Sequence, residues 1–172
     1  TLSKTLFEIM QTMIYCVSVL HNKREESKML EEPTLQFSLL ILAANIGFMI
    51  MFSAVVAPAV FTALSQNAAG AYLRVLFPRM FIFGFGTSGL ASLMAIFEND
   101  FQIAVISACI AAGFLINAFA ITPQINKYRD KMLGGDLKSK TIFSRLHLVS
   151  VAIFLIQLIT CFYTIFMSSN LL

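Results

Sequence analysis

The sequence predicts an all-α integral membrane protein. The expected form is an antiparallel bundle of four transmembrane helices with an additional N-terminal amphipathic, or short transmembrane, helix. Two observations carry this. Residues 36–61, 77–97, 101–121 and 146–167 form four apolar stretches free of Asp, Glu and Lys, with Arg79 as their single charge. Each reaches the ~20 residues a helix needs to cross a ~30 Å hydrocarbon core. Hydrophobic residues make up 58% of the 172 and charged residues 12%, with a mean hydropathy of +0.82. A soluble domain could not hide that much apolar surface, because its helices need a polar face.

Residues 1–34 read as a separate region. Thr1, Lys4, Thr5, Glu8, Gln11, Thr12 and Ser18 trace a polar stripe at helical spacing, leaving Leu6, Ile9, Met10, Met13, Val17 and Leu20 opposite. That pattern predicts an amphipathic helix at the interface or against a partner, with a short extra span as the alternative. Glu8 and Gln11 interrupt the apolar run and argue against a signal peptide. A charged hinge follows, carrying Lys23, Arg24, Lys28 and four Glu, and Pro33 closes it. The four-helix domain then occupies residues 35–168, with a tail at 169–172.

Basic residues predict the orientation. Arg74, Arg79, Lys127, Arg129, Lys131, Lys138, Lys140 and Arg145 all fall on the side reached after the first span. Glu98-Asn99-Asp100 and the hinge fall on the other. The 122–145 connection is therefore expected to face the cytoplasm or matrix. A bacterial inner membrane is the first expectation and a mitochondrial inner membrane the alternative.

Small residues mark the packing. Gly84, Ser88, Ala91/Ser92 and Ala95 form one row in the second span; Ala104, Ala108 and Ala111/Ala112 form another in the third. Rows of this kind let helix backbones approach closely in lipid, so these two spans should pack as a tight hairpin. The same region spells GxGxxG, from Gly84 to Gly89. It lies inside an apolar span rather than after a strand, so helix packing explains it and a dinucleotide fingerprint does not. Asn45, Asn117, Gln157 and Thr160 are polar groups within spans and are expected to bond between helices, with a polar ligand cavity as the alternative. Cys16, Cys109 and Cys161 lie far apart and read as buried free thiols, supporting neither a disulfide framework nor a zinc site.

Chemistry concentrates at the basic ends of the spans. Pro58, Arg79, Pro123, Asn126, Arg129, Arg145, His147 and Ser150 should share one membrane depth, and form the candidate ligand or lipid-binding set. No catalytic group and no metal ligand is assigned. Prolines near helix ends free carbonyls, and Arg suits the planar oxygens of carboxylate or phosphate. The proposed core of the site is Arg129, Arg145 and His147 gathered around an anionic group.

Pro58-Ala59-Val60-Phe61 with Ala69-Gly70, Thr122-Pro123 with Asn126 and Arg129, and Phe143-x-Arg145-Leu146-His147-x-x-Ser150 together resemble the transmembrane protein 205-like family, also catalogued as domain of unknown function 4149. The similarity covers roughly residues 36–168. It implies a four-helix membrane bundle and no agreed reaction. Its distant look of the copper-resistance D and HemJ-like proteins raises heme or metal through His147 as a low-ranked alternative, against a prediction of no cofactor. His21, the other histidine, belongs to the opposite side.

The first function expected is therefore a non-catalytic accessory or structural subunit that docks onto a larger membrane complex, such as a respiratory assembly. The alternative is a lipid- or small-molecule-binding bundle using the pocket around Arg129, Arg145 and His147. A heme- or metal-linked enzyme or a transporter ranks last, and enzymatic activity is not expected. Membrane lipids and other membrane subunits are the predicted partners. A net charge of +3 without a basic, aromatic-interleaved patch gives no reason to expect nucleic acid.

Overall fold

A computed structural model describes residues 36–169, which belong to one compact unit. The expected N-terminal amphipathic helix and its hinge lie outside the described residues. Four helices are long and apolar enough to cross a membrane: Phe37–Ala63, Gln66–Phe97, Phe101–Leu133 and Leu137–Ser169. They are the first to fourth spans below. The first packs against the second and fourth, and the third likewise, giving a four-membered ring of neighbours. We call the end with the Glu98–Asp100 turn the hairpin end, and the opposite one the basic end.

The second pair of spans repeats the order of the first. In each, a 15-residue α-helix (Phe37–Met51; Phe101–Leu115) leads into a π-helical segment, Phe52–Val56 or Ile116–Ile121. An α-helix with proline at its start follows, Ala57–Ala63 or Thr122–Leu133. Each pair ends in a helix of 32 or 33 residues. Proline has no N–H and its ring strikes the carbonyl four residues earlier. The widened turns just before Pro58 and Pro123 relieve that clash, so both helices continue past residues expected to end them.

The helices also outrun the expected spans. At 1.5 Å per residue, 32 residues reach about 48 Å, well beyond a ~30 Å hydrocarbon core. Residues 122–145, expected as a connection, are mostly helix, broken by a short turn where Gly135 takes a φ of 97° that glycine tolerates without strain.

The hairpin end is held by its acids. Asn99 adopts a φ of 57° in the three-residue turn. Asp100 caps the third span, its Oδ1 accepting from Ile103 N at 3.1 Å. Glu98 reaches across to the first span, accepting from the buried Ser38 through N (3.1 Å) and Oγ (2.5 Å). A carboxylate at a helix N-terminus also complements the helix dipole.

Between the second and third spans the core is tight. Gly84 is buried beneath Phe114, whose ring lies 2.7 Å from where a Cβ would stand. Ser88, Ala91 and Ala95 are buried, and Ser92 Oγ donates to the Ala104 carbonyl at 2.8 Å. The expected row on the third span is corrected here: Ala108 and Ala112 face outward. The buried stripe is Ala104, Ser107, Ala111 and Phe114. It advances by alternating threes and fours, which keeps one face of a 3.6-residue helix toward its neighbour. Gly86 and Gly89 meet nothing within 4 Å, so the GxGxxG string is ordinary helix. Cys161 is buried and free, whereas Cys109 is exposed, correcting the expectation for that thiol.

Candidate functional site

Five phenylalanines fill the bundle's interior ring to ring. Phe52 meets Phe77 at 5.6 Å, Phe77 meets Phe81 at 6.0 Å, Phe81 meets Phe114 at 6.4 Å and Phe114 meets Phe154 at 6.3 Å. Such offset and edge contacts pack a core. The candidate site residues therefore lie around this plug, at the basic end.

Arg129 and Gly70 form the closest pairing there. A Cβ added to Gly70 would coincide with the Arg129 guanidinium, so only a residue without a side chain leaves that notch open. Ala69 and Gly70 are buried, and Arg129 is partly buried. Arg129 makes no ion pair or hydrogen bond among the described residues. The neighbouring cation differs: Arg74 pairs with Asp130, both exposed at the surface. Lys131 Nζ stands 5.6 Å over the Tyr128 ring. The second and third spans thus meet through one arginine neutralised by Asp130 and one with no carboxylate beside it among the described residues.

The remaining predicted residues spread out. Asn126 is partly buried one turn before Arg129; Pro58, Arg79 and Pro123 are exposed. Arg145 and His147 are also exposed. Two residues apart on a continuous helix, they leave it in different directions, and neither is hydrogen-bonded or ion-paired to Arg129. His147 stacks on Phe143 one turn earlier, ring centroids 6.2 Å apart. Ser150 is buried and uses its carbonyl, accepting from Asn117 Nδ2 at 3.4 Å. Among the described residues no group of three His, Cys, Asp or Glu gathers as a metal site would require.

Two features of the basic end were not foreseen. The Gly70 notch depends on a contact between distant segments, and Ala69-Gly70 was its only trace in the sequence. Asp136 caps the fourth span, accepting from Lys138 N at 3.0 Å and Ser139 Oγ at 2.7 Å. The Ser139 hydroxyl holds its carboxyl below the ordinary 3.8.

Fold and composition define an integral membrane protein of four helical spans. The family model described as Domain of unknown function (DUF4149) matches residues 40–133, over half of the chain, and the chain belongs to that family. No curated protein and no solved structure matches it significantly.

Proposed function

We propose that this protein is a non-catalytic membrane bundle that holds an anionic group, a lipid phosphate first, at its basic end. The observation behind this is Arg129, whose guanidinium rests in the Gly70 notch with no carboxylate partner among the described residues, while Arg74 beside it is paired with Asp130. A guanidinium fork fits phosphate oxygens in bidentate fashion, and headgroups supply phosphate at this depth. Asn126 is one turn away on the same helix and can add a donor. In this reading the basic end faces the cytoplasm or matrix, as the distribution of Lys and Arg favours, and the family is of the transmembrane protein 205-like kind. Arg145 and His147 are exposed and meet the same lipid layer from other sides of the fourth span.

Native mass spectrometry of the full chain tests it. Wild type should retain phosphatidylglycerol in preference to phosphatidylcholine, and Arg129→Gln should lose that preference. Gly70→Ala, which displaces the guanidinium, should weaken it. Retention unchanged in both variants, or lost equally in Lys140→Gln, would reject a specific site.

The accessory-subunit reading has its own observation. Of the most apolar window in each span, 44% is buried in the third but only 22% in the fourth. The fourth span thus offers the widest apolar face to lipid or to a partner helix. Purification in gentle detergent is the check. A co-purifying membrane subunit, cross-linked through Ile156 or Ile159, would favour docking, and an absorption spectrum of the same sample would reveal any heme.

A further inference from the structure

The third and fourth spans exchange two amides. Gln157 Nε2 donates across to the Ile110 carbonyl at 2.7 Å. Two turns closer to the basic end, Asn117 Nδ2 donates the other way, to the Ser150 carbonyl at 3.4 Å. Each bond fixes the amide that makes it. Left over are Gln157 Oε1, Asn117 Oδ1 and Ser107 Oγ, all without a hydrogen-bond partner. Their side chains are deeply enclosed: Gln157 is 5% exposed, Asn117 and Ser107 0%.

Gln157 and Asn117 lie along one seam: Ile110 to Asn117, and Ser150 to Gln157, are each two helical turns, about 10 Å. Ser107 belongs instead to the buried stripe that faces the second span. Buried acceptors in such an apolar surround are costly unless a donor reaches them. The helices come close here, since a Cβ on Gly113 would stand 2.8 Å from Gln157 Nε2, which favours a small donor over a bulky one. The Ile116–Ile121 π-segment widens the backbone at Asn117 itself, and wide turns of this kind recur at functional positions.

We propose that the seam between the third and fourth spans binds ordered water, held by the side-chain carbonyls of Asn117 and Gln157. It forms a hydrated polar stripe reaching from the basic half of the bundle past its middle. The stripe is independent of the anion site: it rests on neutral acceptors, and Arg129 takes no part in it.

Hydroxyl-radical footprinting by X-ray pulse, on the full chain in phosphatidylcholine nanodiscs, tests this because buried water generates radicals beside the side chains it touches. Cys161 follows Gln157 by one turn on the same face, and a Met49→Cys variant places the same thiol at an equally buried position in the first span; Cys161 and Met49 are both 0% exposed. In that variant Cys161 should be oxidised several-fold faster than the thiol introduced at position 49. Equal rates would overturn the proposal. Adding Gln157→Leu or Asn117→Leu should bring Cys161 down to the rate at position 49, and an unchanged rate in both would overturn the assignment to these amides. Should either Leu variant fail to fold, the comparison of the two thiols decides alone.

Discussion

The two hairpins are built from the same sequence of elements, yet they treat buried polarity in opposite ways. Between the first and second spans, Asn45 Nδ2 donates to Ser88 Oγ at 2.9 Å, and Asn45 Oδ1 lies 3.2 Å from the Thr87 hydroxyl, which shares its one proton with the Phe83 and Gly84 carbonyls at 3.1 Å. Both sides of that amide have a side-chain partner within reach. Between the third and fourth spans, each amide donates to a backbone carbonyl and leaves its own oxygen bare. A backbone carbonyl accepts but cannot donate in return. The first arrangement closes on itself and serves stability; the second leaves acceptors over for something else to meet.

The largest contrast should come from overfilling. Ser88→Leu removes the acceptor of Asn45 and forces a bulky side chain against packed helices, and should cost about 3 kcal/mol. Ala108→Leu, which points outward, should change stability by less than about 0.5 kcal/mol. Thermal unfolding in one detergent compares them, and similar losses would remove the distinction between inner and outer faces of the third span.

Deleting the amides themselves probes the comparison more directly. Asn45→Leu strands Ser88 and should cost about 1 kcal/mol, within the range measured for such bonds in membrane bundles. Gln157→Leu removes a bare acceptor along with its bond, and should cost less than half as much. A larger loss at Gln157 would mean that the two hairpins are equally dependent on their amides.

Acid should reveal the smallest difference. The Asp136 carboxyl titrates below its ordinary 3.8 when folded, chiefly through the Ser139 hydroxyl. A depressed folded value contributes stability at pH above 3.8 that is lost as pH falls through the folded pKa. Asp136 is fully exposed, so the effect is slight. The protection of the Lys138 and Ser139 amides, exchange rates being taken relative to the unstructured peptide at the same pH, should fall slightly below pH 3.8, and Asp136→Asn should flatten that dependence.

The fold was legible because lipid imposes a simple requirement, about twenty apolar residues per crossing, and four stretches meet it. Helix ends were not, since hydropathy reports where lipid stops rather than where hydrogen bonding stops. Gln124–Leu133 and Leu137–Arg145 are polar but contain no proline, so the helices continue beyond the hydrocarbon. Pro58 and Pro123 read as marks of helix ends, but the helices run on through them, and the π-segments that absorb them depend on backbone accommodation that no single residue announces. Ala108 failed because a strict four-residue row drifts off the contact line of a 3.6-residue helix. At the basic end, the separation of Arg145 from His147 follows from their spacing alone. The meeting of Arg129 with Gly70 required the packing of distant segments.

Lipid-dependent unfolding is the direct measure of the proposed function. A ligand that binds only the folded protein raises its melting point in proportion to its affinity. Phosphatidylglycerol in excess should raise the Tm of wild type by roughly 5 °C more than phosphatidylcholine does. That surplus should vanish in Arg129→Gln and persist in Lys140→Gln. An equal surplus in wild type and Arg129→Gln would contradict an anion site in the Gly70 notch.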